Sequence, residues 1–235
     1  EGVTLTIEPG VVVTKPTPGD MFLVQGRIEA HGTIDNKIIF DGGGNSGFFY
    51  SFRGEGDFSY CIIKNGYVFW YSETNRDKFN LTHSELTDLK VSGLRYTIHL
   101  ESPSTDIRIE YNRFINTGGI SVYQAAGLFN RVYLEYNLFY NISSSIINHG
   151  GTPGRTEMIV KYNSFIDIEG VILSLGELPN AVMDATENYW GTLSTEIINS
   201  KIYDRNDDIR IENYIYYLPI LTEPHPDTPK LSSTV

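Results

Sequence analysis

The chain has 235 residues, 40% hydrophobic and 20% charged, a composition that fits a packed globular protein and excludes wholesale disorder. A formal net charge of −11 repels phosphate backbones, so nucleic acid is not an expected partner, and no Lys/Arg cluster compensates the charge to favour polyuronates. The single cysteine, Cys61, excludes an intrachain disulfide, and no segment reads as a membrane-inserting run.

The first elements are short alternating strands in Leu5–Val13, Gly26–Thr33 and Lys37–Phe40, broken by Pro-Gly and Gly-Thr turns. The chain opens at Glu1-Gly2-Val3 inside what reads as a strand, so the lack of a leader segment is uninformative. From Phe58 onward one pattern recurs: an apolar residue, two more residues, a small residue or Asn, one residue, then a large apolar residue. Its copies begin at Phe58, Leu81, Ile109, Leu134, Val160 and Ala185, with successive spacings of 23, 28, 25, 26 and 25. A turn containing Gly and a second short apolar strand follow several copies, as in Asn65-Gly66 before Tyr67-Val68-Phe69 and Asn116-Thr117-Gly118-Gly119 before Ile120-Ser121-Val122. A short helical turn is expected near Ser194–Asn199. Tyr203, Tyr214, Tyr216, Tyr217, Leu218 and Ile220 read as a cap on the last coil.

A period near 25 built from strands and turns requires stacked coils, because one coil cannot bury its own apolar face. Stacking at the inter-strand spacing of roughly 4.8 Å pairs every backbone and builds a continuous core. The expected fold is therefore all-β, a right-handed parallel β-helix of roughly eight or nine coils. It covers residues 1–221, and a Pro/Thr/Ser-rich tail or linker occupies 222–235. The repeat aligns Ile63, Leu86, Phe114, Phe139, Phe165 and Trp190 as an interior column. It aligns Asn112, Asn137, Asn163 and Asn188 as a structural ladder at an inner turn, where the amide bonds the neighbouring coil. Cys61 falls in that column and reads as a buried spacer rather than a nucleophile.

The opening segment LTIEPGVVV, with GRIEAHGTIDNKIIF after it, the YN-x-F coils and the closing ENYWGT segment resemble secreted or surface β-helix proteins of the pectate-lyase-like superfamily, of the carbohydrate-binding and sugar-hydrolase type, from archaea and bacteria. The resemblance spans nearly the whole chain. It implies the architecture, a secreted or cell-surface location and a carbohydrate-associated role. It does not imply one activity, because lyases, hydrolases, epimerases and non-catalytic modules share the fold.

Consecutive strands on one sheet line outward residues into a shallow groove suited to sugar rings. Trp70 or Tyr71, with His99, Glu101, Tyr123 and His149, are the candidate carbohydrate-binding residues, with Arg155 nearby. Asp207-Asp208 is the adjacent acidic pair that a glycoside hydrolase would need, but it lies near the cap. His149-Gly150 follows Asn148, not the Gly of a Gly-His-Gly motif. Asp204, Asn206 and Asp208 are a weak calcium candidate without the spacing of an EF-hand loop; otherwise no cofactor is expected. Asn80-Leu81-Thr82 and Asn141-Ile142-Ser143 match glycosylation sequons. The leading expectation is a non-catalytic extracellular module that binds a polysaccharide or surface glycan or acts as a spacer, alongside other domains or surface proteins. The alternatives are a carbohydrate-active hydrolase or lyase with its site on the central sheet, and a surface-layer or filament subunit.

Overall fold

The structure is a computed structural model. It describes residues 2–14, 22–43, 49–52, 54–66, 68–71, 78–88, 96–101, 107–124, 129–151 and 154–231, without the side chains at 22, 49–52, 69 and 71. Strict alternation of apolar and polar residues in short segments dictates strands with one face in and one face out. The turns between them send each new strand onto the coil above. The result is a parallel β-solenoid with three sheets, which among the described residues have nine, seven and eight strands. The first sheet runs from Thr4–Ile7 to Ile215–Tyr216, the second from Val12–Thr14 to Ser164–Ile166, and the third from Phe22–Val24 to Ile202–Tyr203.

The seven strands of the second sheet are joined by six full turns of chain, so the count is slightly below the eight or nine coils expected. The shortfall arises at the C-terminal end. There the repeat copy around Tyr189 contributes a single bridge to Ser164 instead of a strand. The helical turn forms at Thr195–Asn199, with the Ser194 hydroxyl accepting the amide of Ile197 as its N-cap.

Inside, each sheet contributes a column of buried side chains. In the second sheet Phe40, Ile63, Leu86, Phe114, Phe139 and Phe165 stand in register, and each is at most 1% exposed. The rings of Phe114 and Phe139 stack at 4.6 Å, and Trp190 continues the column 5.0 Å from Phe165. Each such ring contributes roughly 2–3 kcal/mol by leaving water. The four Asn side chains are fully buried. The Asn137 amide nitrogen donates to Ile109 O and Glu135 O, and its Oδ1 accepts the backbone N–H of Asn112 at 2.9 Å. The same pattern links Asn137 to Asn163 and Asn163 to Asn188. Ser84 takes this place one coil earlier, donating to Thr82 O and accepting from the Cys61 amide. Burial pushes the Cys61 thiol up to about 12, so it stays protonated in the core.

The tail does not hang free as far as it is described. Residues 222–231 turn back over the coils, where the Thr228 hydroxyl donates to Tyr162 O at 2.7 Å. Residues 232–235 lie outside the described residues.

Candidate functional site

Three neighbouring strands of the third sheet, Tyr96–Glu101, Gly119–Gln124 and Ile146–Gly151, depart from the regular coil. Their inward residues are Ile98 and Leu100, Ile120 and Val122, and Ile146 and Asn148. Alternation therefore turns His99 and Glu101, Ser121 and Tyr123, and Ile147 outward. Among the described strand pairs, the two register shifts both fall here. One lies between Tyr96 and Ile98. At the other, His149 and Gly150 together face Tyr123, because Val122 pairs with Asn148 and Gln124 with Gly151. A bulge of this kind re-aims the side chain it carries.

Several residues hold the second bulge. Gly150 has φ of +74°, and a Cβ there would come within 2.6 Å of Pro179 O, so only glycine fits. Asn148 is fully buried; its Oδ1 accepts the Gly150 amide at 3.0 Å, and its Nδ2 donates to Thr156 O and Val182 O at 3.1 Å each. On the next coil a Cβ on Gly176 would lie 2.8 Å from His149 Cα, so the two backbones pack directly together. The His149 ring meets Tyr96 edge to face at 6.4 Å.

The electrostatics follow from burial. Burial lowers the His99 pKa, and burial together with nearby His99 lowers that of His149. Both imidazoles are therefore neutral at neutral pH. His99 Nε2 lies 3.8 Å from Glu101 Oε2, but a neutral ring makes this a polar contact, not an ion pair. Burial raises the Glu101 pKa. The Ser121 hydroxyl, in register with His99, is buried without a hydrogen-bond partner among the described residues, as is that of Thr97 inside the first bulge. The site thus offers neutral donors and acceptors, one carboxylate and aromatic edges on a single face.

The sequence-derived candidates distribute as follows. His99, Glu101, Tyr123 and His149 belong to this face. Tyr71 pairs with Glu101 through the backbone, while its side chain lies outside the described residues. Trp70, its alternative for the outward position, points inward and is 1% exposed. Its indole fills the space over Gly56, where a Cβ would come within 2.7 Å of the ring. Ser121, Tyr96 and the Asn148–Gly150 support were missed; the Gly150-Gly151 doublet inside a strand is the signal that marks such a bulge.

In the acidic turn the carboxylates bond to backbone amides and to Arg210. Asp204 is buried, with Oδ1 accepting the Asn206 amide and Oδ2 the Ile215 amide at 2.8 Å each. Asp207 accepts the Asp204 amide. The Arg210 guanidinium beside Asp208 holds its carboxyl down at about 2. These carboxylates close a turn. Among the described residues no group of three or more His, Cys, Asp or Glu side chains is placed to hold a metal ion. No helix among them is long and apolar enough to cross a membrane. Of the sequons, Asn80 lies within the strand Phe79–Thr82, and Asn141 is exposed at a turn, donating to Asn116 Oδ1.

No protein-family model, curated protein or solved structure matches this chain.

Proposed function

We propose that this chain is a non-catalytic glycan-binding module of an extracellular or cell-surface protein, holding an uncharged oligosaccharide on the outer face of the third sheet. The observation that carries this reading is the bulge at His149-Gly150, which sets a neutral imidazole beside Tyr96, His99, Glu101 and Tyr123 on an otherwise regular solenoid. Sugar hydroxyls pair with neutral donors and acceptors, and sugar rings pack on aromatic side chains. The net charge of −11 disfavours polyanionic glycans. The parallel solenoid and the resemblance to pectate-lyase-like β-helix proteins support the same assignment of class.

A second reading, a carbohydrate-active enzyme at this face, is favoured by the buried Ser121 hydroxyl in register with a neutral His99. One experiment separates the two. The protein is incubated with a panel of neutral polysaccharides, with retention and product release measured together. Retention that falls about tenfold or more in His149→Ala and Tyr123→Ala, with unchanged circular dichroism, is expected for a binding module. New reducing ends, unsaturated sugars or released acyl groups would establish the enzyme instead. No retention of any glycan would remove the binding reading.

A further inference from the structure

A second surface lies at the turn from the first sheet to the second, away from the bulged face. There the residue before the inward Asn, Ser or Cys column adopts a left-handed backbone: φ is 51° at Tyr60, 50° at His83, 59° at Tyr111, 55° at Tyr136 and 58° at Tyr162. Bulky residues rarely occupy this region, yet ring-bearing residues stand there on five successive coils. Their rings stack along the solenoid at 5.0, 4.9, 4.9 and 4.9 Å. This spacing is the rise between coils, so the ring faces cover one another. The outer wall of the ladder is made of ring edges with a notch between successive rungs.

The chain's own tail already uses part of this wall. The His225 ring sits across one notch, 5.0 Å from Tyr136 at 71° and 5.1 Å from Tyr162 at 54°. Thr228, 3% exposed, donates to Tyr162 O, and the Thr228 and Asp227 amides donate back to His225 O and Nδ1. The segment carries Pro224, Pro226 and Pro229. Beyond it the ladder continues through Tyr111, His83 and Tyr60. These three rungs wall a cavity of about 190 Å³ that also takes in Glu85, Arg113 and Pro229 of the tail. Arg113 Nη1 is paired with Glu85 at 2.8 Å, while its Nε is buried without an acceptor among the described residues.

We propose that the Tyr60–His83–Tyr111 groove is a docking site for an extended, proline-containing peptide of a partner, with one ring side chain seated in the cavity. Three features select this class of ligand. A proline-rich segment is already seated on the same ladder, in line with the cavity. Prolines hold a chain extended at low entropic cost and suit aromatic-lined grooves. The rungs expose edges, which accept another ring edge to face as His225 shows, whereas sugar stacking needs open ring faces. This site does not depend on the glycan reading of the third sheet.

The test uses the full chain, isotopically labelled, and a synthetic peptide with the sequence of residues 223–231 as probe. Saturable one-to-one shifts at Tyr60, His83 and Tyr111 are expected, with about tenfold weaker binding to His83→Ala. His83 is exposed, so the fold should be retained in that variant by circular dichroism, with the unfolding midpoint lowered only by the loss of its two ring contacts. A peptide with its prolines replaced by glycine should bind more weakly than the parent. The proposal is overturned if no shift appears at millimolar peptide, or if shifts are confined to Tyr136 and Tyr162, which would mean simple exchange with the tail. It is also overturned if His83→Ala binds as tightly as the parent, or if a neutral oligosaccharide produces the same shifts.

Discussion

Replacing Asn137 by Ala isolates what the inner ladder contributes. The side chain takes part in five hydrogen bonds: two accepted from Asn112, and three donated to Ile109 O, Glu135 O and Asn163 Oδ1. Truncation leaves the Asn112 amide and the Ile109 carbonyl without these partners in a fully buried turn. Each orphaned buried group costs roughly 1–3 kcal/mol where no water takes the place of the carboxamide. The expected loss is about 4 kcal/mol, a large share of the roughly 5–15 kcal/mol that holds a typical domain folded. Urea unfolding followed by circular dichroism and by tyrosine fluorescence measures it, with the slope checked so that a midpoint change reports stability. Asn137→Asp is the informative companion. It keeps acceptors toward Asn112 but sets a carboxylate against Ile109 O, so it should be at least as harmful as Ala. A loss below about 1 kcal/mol for Asn137→Ala would refute the account, because the coil would then repair the turn without the amide.

Two further outcomes follow from the bulged face. His99 and His149 have folded pKa values below 6.5, so the unfolded chain binds more protons near that pH. Their linkage leaves stability level above pH 6.5 and lowers it as pH falls from 6.5 through the folded values; urea midpoints across pH 5–8 should show this, and His99→Gln with His149→Gln should flatten it. Glu101 has the opposite sign: its raised folded pKa lowers stability as pH rises from 4.5 through the folded value. Gly150→Ala meets both the +74° φ and the 2.6 Å approach to Pro179 O, and should cost at least about 1–2 kcal/mol in thermal or urea unfolding. It should also weaken any glycan retention by displacing His149; unchanged stability would mean that the bulge is not held as described.

The architecture was legible because a 25-residue period leaves few ways to bury an apolar face, and one inner column fixes the register of the coil. Alternation also carries information about the outward face, since Ile98 and Leu100 in the core oblige His99 and Glu101 to face out. It did not decide between Trp70 and Tyr71, both aromatic and adjacent. The decision lies in Gly56 on another sheet, which leaves the room the Trp70 indole takes. The bulges escaped because each adds one residue to a strand whose apolar pattern survives on both sides. The tail was opaque for a different reason. Three prolines among Thr and Ser describe an extended segment, but its seat is a stack of rings contributed by coils far away in sequence. The left-handed positions that build this stack are occupied by Tyr and His, residue types that carry no turn signal.

A solenoid with one repeated coil presents nearly the same surface at every level, so a specific ligand needs the repeat to be broken somewhere. In this chain the described breaks are few and localised. Among the described residues the first and second sheets pair in unbroken register, and their outward residues form charge pairs such as Arg131–Glu157 and Lys161–Asp184, which suit solvent. The third sheet breaks twice, and the same three strands carry the neutral histidines and two of the buried hydroxyls without a partner among the described residues, those of Thr97 and Ser121. Where the chain accepts a bulge, a glycine fixed by two neighbouring carbonyls and a buried polar Asn, it forgoes the packing that the rest of the coil achieves. An apolar residue at 148 would restore the column of Val122 and Leu175, yet Asn148 stands there to hold His149 in place. Polar residues buried to position another side chain are what a built site requires, and this is the support for the proposal that the third sheet carries the glycan-binding face.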